Sequence, residues 1–134
     1  MDEKYIRMAI DLAFQARVNG NEPFGAVLVK DDEVMHTNEN DIRTKTDNTR
    51  HAELGLISDY CQKEGIANLE GYSLYSSAEP CFMCSGAIYW SKISKLVYSV
   101  PQVDLMKFSG GTKKLLCSDI VNSGNRNIEI IGGV

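Results

Sequence analysis

Two short patterns limit the folds open to this chain: His51-Ala52-Glu53, and Pro80-Cys81-Phe82-Met83-Cys84. Each stands where the surrounding residues predict the start of a helix. Positions i and i+3 share one face of a helix, so Cys81 and Cys84 can aim both sulfurs at one point. A helix N-terminus also lowers thiol pKa, which favours the thiolate that a soft metal needs. With His51 added there are three soft or borderline ligands, which suits zinc, and the fold must then bring two helix starts side by side. Structural zinc sites usually close with four protein ligands, whereas three leave a position open for water.

Glu53 turns a metal site into a candidate active site. Two positions from His51, it can lie beside an ion without binding it. Zinc lowers the pKa of a bound water to roughly 7, and a carboxylate there can act as proton acceptor and donor.

The remaining pattern supplies the scaffold. Tyr5, Met8, Ala9, Leu12, Ala13 and Ala16 recur at helical spacing and Gly20 marks a stop, which predicts a helix over about 3–18. Phe24 to Val29 is a short apolar run ending at Lys30-Asp31-Asp32, so a strand, a hairpin turn and a partner strand over Glu33–Asn38 are expected. The polar stretch Asn40–Thr49 reads as a loop. A helix follows over His51–Cys61, then a strand at Ser73–Tyr75, a helix from Cys81 to about Trp90 opened by Pro80, and a strand at Leu96–Tyr98. A helix over about 113–121 and a strand at Ile128–Ile131 complete the reading. Helices between the later strands make those strands parallel. The expected fold is therefore a three-layer α/β/α sandwich around a mixed five-stranded sheet, in a single domain spanning residues 1–134.

Composition removes several classes of function. The chain has 43% hydrophobic and 24% charged residues, close to the averages for soluble domains, so neither disorder nor a coiled coil is indicated. No apolar run is long enough to span a bilayer and the first residues lack a signal-peptide pattern, so a cytoplasmic protein with no membrane partner is expected. The net charge of -4 gives no global attraction to nucleic acid, which weakens a nucleic-acid partner without excluding it, because a local basic loop can act where the whole surface does not. Four cysteines are too few for a disulfide scaffold.

Blander readings stand beside these. The two thiols of Cys81 and Cys84 could form a redox pair, but no Trp precedes them, no Gly-Pro separates them, and His51 and Glu53 would go unused. A closed, catalytically inactive zinc module would need His36, Cys61 or Cys117 as fourth ligand; both cysteines read as small buried hydrophobes and His36 as an exposed strand residue. Phe24 can be a core aromatic, Trp90 reads equally as core or pocket wall, and Asn40 can be a turn residue. Arg43, Lys45 and Arg50 form a basic loop that is either solvated or contacts a phosphate or carboxylate.

The H-x-E and P-C-x-x-C patterns are a general signature of zinc deaminases, and the chain resembles the cytidine deaminase-like superfamily over nearly its whole length. It looks most like the branch of guanine, cytosine and tRNA adenosine deaminases, and within it Pro23-Phe24-Gly25-Ala26 and Cys84-Ser85-Gly86-Ala87-Ile88-Tyr89-Trp90 resemble bacterial guanine deaminases. The resemblance implies zinc-dependent hydrolytic deamination of a guanine-type or cytosine-type nucleobase, nucleoside or related amino-heterocycle. Its alternative is tRNA adenosine. It also implies that Asn40 hydrogen-bonds the base, that Phe24 lines the base pocket, that the backbone of Ala52 helps to hold the substrate, and that the enzyme is a homodimer. Two features depart from it: Asn48-Thr49-Arg50 replaces the usual Pro-Thr-Ala before the histidine, and the chain ends at Gly132-Gly133-Val134 where relatives continue into a helix that helps to build the pocket.

Overall fold

The computed structural model describes residues 2–109 and 115–134. The chain begins with α1 (Asp2–Val18), whose first turn carries Asp2 and Glu3 and whose last turn carries Arg17, charges that complement the helix dipole. Then come β1 (Gly25–Lys30), β2 (Glu33–Glu39), α2 (Ile42–Lys45), α3 (Ala52–Glu64), β3 (Ser73–Ala78), α4 (Phe82–Trp90), β4 (Lys95–Val100), α5 (Gln102–Ser109), α6 (Cys117–Val121) and β5 (Glu129–Ile131).

The strands form one mixed sheet in the order β2-β1-β3-β4-β5. β1 runs antiparallel to both β2 and β3, and β3, β4 and β5 are parallel to one another. The hairpin closes through Asp31 and Asp32, both at positive φ (52° and 59°), the twist that a two-residue turn between right-twisted strands requires.

Side chains alternate across the sheet as the strand period demands. Val27, Val29, Tyr75 and Val97 meet the Tyr5, Ile6 and Ala9 face of α1. Ala26, Leu28, Leu74 and Leu96 face the other way, onto Leu56, Ile57 and Tyr60 of α3, Ile88 of α4 and Val121 of α6. The central strands are therefore covered on both faces. At Gly25 any side chain would collide with the Ala9 carbonyl oxygen, so a glycine is needed for α1 to pack this closely on β1.

Three parts of the sequence pattern resolve differently. The polar stretch after β2 holds the one-turn helix α2, closed by Thr46 in the left-handed region. α5 has no counterpart in the sequence pattern: it follows Pro101, whose carbonyl accepts from the Asp104 and Leu105 N–H groups. The helix expected over about 113–121 is the shorter α6, and positions 113–114 lie outside the described residues.

Candidate active site

α3 and α4 pack on the same face of the sheet and begin with His51 and Cys81, each in extended backbone as the N-terminal flanking residue. The coordinating atoms of His51, Cys81 and Cys84 all lie within 4.8 Å of one another, and His51 Nδ1 is 3.5 Å from Cys81 Sγ. Two thiols and an imidazole nitrogen in this compass are a donor set for zinc, and three protein ligands leave a coordination position free for a reactant.

The electrostatics suit a cation. Cys81 is held well below the ordinary thiol range, first by the hydrogen bond from the Cys84 thiol, then by His51 and the Cys84 backbone N–H. Cys84 is raised in turn because its proton serves Cys81 and it is buried. His51 is raised by its Cys81 partner.

Glu53 lies one residue inside α3 and is buried. Burial pushes its carboxyl up to about 7, the Cys81 charge adds to the rise, and its own backbone N–H, His51 and Ser76 offset part of it. A positive charge at the thiolates would draw the value back down. A buried carboxyl beside the cluster can both take and return a proton.

Backbone hydrogen bonds tie Asn40 to Phe24, and Asp41 to Arg50, the residue before His51. The Asn40 N–H donates to the Phe24 carbonyl (2.9 Å), and the Asp41 N–H donates to the Arg50 carbonyl (3.2 Å). Asn40 is 2% exposed; its Oδ1 accepts from the Ile42 N–H (3.2 Å), while its Nδ2 donates to nothing among the described residues. The turn role and a free amide donor therefore coexist in one side chain. Ala52 is fully buried, and its carbonyl accepts from Asn38 Nδ2 (3.0 Å). Phe24 is half-buried and rims an apolar cleft of about 290 Å³ with Phe14, Pro23, Ala78, Val100 and Leu105. Trp90 is not brought to the cluster. It lies at the opposite end of α4 from Cys81, 75% exposed, and is not a core residue.

Other expectations shift too. His36 is half-buried, its ring 6.0 Å from that of Tyr60, and neither it nor Cys61 nor Cys117 belongs to the metal cluster. Cys117 is buried as expected, whereas Cys61 is half-buried.

One supporting residue went unread in the sequence. Glu79, next to Pro80, is buried, with Oε1 accepting from the Gln102 N–H (3.0 Å) and Oε2 from the Cys117 N–H (2.9 Å). Gln102 Nε2 in turn donates to the Pro80 carbonyl (3.1 Å). A single carboxylate thus holds the starts of α5 and α6 against the segment that presents Cys81. The only signal available was an acid beside the Pro-Cys pattern.

Comparison with known proteins decides the family. Residues 1–100 match the cytidine and deoxycytidylate deaminase zinc-binding region. The chain belongs to this deaminase family. It is 38% identical to the guanine deaminase of Bacillus subtilis over 76% of its length, spanning 66% of that enzyme. It is 34% identical to a probable cytosine deaminase of Schizosaccharomyces pombe over 98% of its length, spanning 83% of that protein. The solved B. subtilis guanine deaminase superposes with a TM-score of 0.76 at 36% identity, over 79% of this chain and 68% of that one. A structure from a study of tRNA:A34 deaminases gives 0.78 at 27% identity over 98% and 92%. The enzyme is a zinc-dependent hydrolytic deaminase of the cytidine deaminase-like fold, with His51, Cys81 and Cys84 as the cluster that suits the metal.

Proposed function

We propose that this enzyme deaminates a free base or a similarly small amino-heterocycle, of guanine or cytosine type, with Glu53 as the catalytic proton carrier. The observation that carries the reading is the buried Glu53 carboxyl beside the His51–Cys81–Cys84 cluster. When bound there, zinc supplies Lewis acidity and an acidified water. Glu53 accepts the proton of the attacking water, passes it to a ring nitrogen, and delivers a proton to the departing amine. Water adds at the amino-bearing carbon, the C–N bond breaks, and the products are a ring carbonyl and ammonia. Asn40 Nδ2 donates to an acceptor on the base, the Ala52 N–H at the start of α3 serves a second acceptor, and Phe24 forms an apolar wall.

A small substrate is favoured over tRNA by the fate of the basic loop. Arg43 pairs with Glu22 (3.1 Å), Lys45 with Asp41 (3.4 Å), and Arg50 with Asp41 and Asp59 (3.0 and 2.8 Å). Cations already paired are poorly placed to replace the counterions of a polyphosphate backbone. The net charge of -4 points the same way. The test is an ammonia-release screen over guanine, cytosine, adenine, their nucleosides, and a tRNA anticodon stem-loop. Turnover on a free base supports the proposal; turnover on the stem-loop alone replaces it with tRNA adenosine deamination.

The assembly we propose is a homodimer. Phe82 and Trp90 are 53% and 75% exposed on α4, two large apolar side chains that a second copy would cover. Trp90 would then contribute to the pocket only through that assembly. Light scattering of the zinc-loaded protein, with Trp90→Ala beside it, tests this directly. The free thiols of Cys61, Cys81, Cys84 and Cys117 fit a reducing, cytoplasmic setting. Among the described residues no helix is long and apolar enough to cross a membrane. The whole described chain serves as one deaminase domain.

A further inference from the structure

Arg50 is buried (9% exposed), an unusual place for a guanidinium unless it is fully engaged. It is engaged with two carboxylates at once. Nε and Nη2 donate to Asp41 Oδ1 and Oδ2 (3.0 and 3.2 Å), and Nη1 and Nη2 donate to Asp59 Oδ1 and Oδ2 (2.9 and 2.8 Å). Paired, planar contacts of this kind fix direction as well as distance.

The two aspartates belong to different parts of the site. Asp41 follows Asn40 and opens the short helix α2; Asp59 lies within α3, two turns after His51. The Arg50 carbonyl also accepts from the Asp41 N–H (3.2 Å), so main chain and side chain of one residue grip the same loop. Gly55 of α3 leaves room for the arrangement: a Cβ there would stand 2.5 Å from Asn38 Nδ2 and 3.1 Å from Arg50 Cζ.

We infer that Arg50 is a positioning residue, which holds the Asn40 loop at a fixed distance from the start of α3 so that the Asn40 amide meets a substrate seated at the cluster. This rests on the role proposed for Asn40. Arg50 itself touches no substrate, and its cost on removal is paid in the alignment of Asn40; misplacement by about 1 Å can reduce a rate on the order of 100-fold. Lysine keeps the charge but cannot span both carboxylates with a planar fork.

The test is a double-mutant cycle on the zinc-loaded enzyme, using Arg50→Lys, Asn40→Ala and the double variant, with Asp59→Asn as a milder cut in case Arg50→Lys folds poorly. Zinc content and melting temperature are read beside kcat and KM. The expected result is one zinc per chain throughout, a fall in kcat/KM of about 10- to 100-fold for Arg50→Lys, a smaller fall for Asp59→Asn, and no further loss from Arg50→Lys once Asn40 is alanine. Independent, multiplying losses would overturn the inference, and so would a lower melting temperature with unchanged kcat/KM, since either makes Arg50 structural only. Loss of zinc in Arg50→Lys would assign Arg50 to the His51 ligand instead and overturn it as well. If Asn40→Ala alone leaves kcat/KM unchanged, the base-reading role of Asn40 fails first, and the inference falls with it by a separately visible route.

Discussion

Glu79→Gln replaces one oxygen of a buried carboxylate by an amide NH2, and the geometry around Glu79 makes the consequence calculable. Both carboxylate oxygens accept from backbone N–H groups, those of Gln102 and Cys117 at 3.0 and 2.9 Å. Glutamine can serve one of them. The other N–H then faces a donor and is left buried without an acceptor. A hydrogen bond to a charged group contributes about 1.5–3 kcal/mol, and an unsatisfied buried donor costs about 1–3 kcal/mol. Allowing for relaxation, the variant should lose about 2–4 kcal/mol. For a domain of this size each kcal/mol shifts the melting temperature by roughly 3–4 °C, so a fall on the order of 10 °C is expected. Because Glu79 braces the segment that presents Cys81, zinc affinity should also fall, by about 10- to 100-fold. Urea unfolding of the zinc-loaded pair, with zinc affinity measured by competition against a chelator, reads both quantities. A stability change under about 0.5 kcal/mol would refute the idea that Glu79 holds α5 and α6 to the ligand segment.

Acid should destabilise the protein through carboxylates held below their ordinary values: Asp59 by its hydrogen bonds from Arg50, and Asp2 by those from Tyr75 and Lys95. Their contribution is full above the ordinary aspartate pKa of about 4 and is lost as pH falls through the depressed folded values, so the urea midpoint should drop more steeply below pH 4 in the parent than in Asp2→Asn/Asp59→Asn; parallel curves would contradict this. Stripping the metal should lower stability with it, because zinc free at 100 times its Kd favours the folded form by about 2.7 kcal/mol, and differential scanning fluorimetry with and without chelator checks the shift. Asn40→Ala should cost about 1–3 kcal/mol in transition-state binding with zinc content unchanged, since it leaves an acceptor on the substrate unpaired; steady-state kinetics on the best substrate decides.

Much of this architecture is legible in sequence because its signals are local. The His51 and Cys81 patterns sit at helix starts, and α1 and β1 bury one continuous stripe or run each, so period alone reveals them. The elements that escaped are those whose reasons are distant in the chain. α5 is only eight residues long, and its start is held by Glu79, 23 residues earlier. α2 is a single turn inside a polar loop, held by Asn21, whose Oδ1 accepts from the Arg43 N–H at 2.9 Å. The ambiguity over Arg50 had the same origin: whether a loop arginine is solvated or engaged depends on Asp41 and Asp59, which only the fold brings to it. The end of an apolar helix leaves Trp90 readable equally as core or as pocket wall; it is 75% exposed there, which removes the core reading.

The central claim is that Glu53 carries protons and His51, Cys81 and Cys84 carry the metal, and Glu53→Ala separates the two most directly. The variant should fold, keep one zinc per chain, and lose turnover by at least the 10²- to 10⁴-fold that general acid–base catalysis usually contributes, because the leaving nitrogen loses the proton carrier proposed for it. Cys84→Ala, measured alongside, should lose metal and activity together. The deciding measurement is ammonia release per zinc-loaded chain for Glu53→Ala, on a substrate that the parent turns over. Release near the parent rate would contradict the proton-carrier mechanism, and loss of zinc from Glu53→Ala would make Glu53 a support of the metal instead.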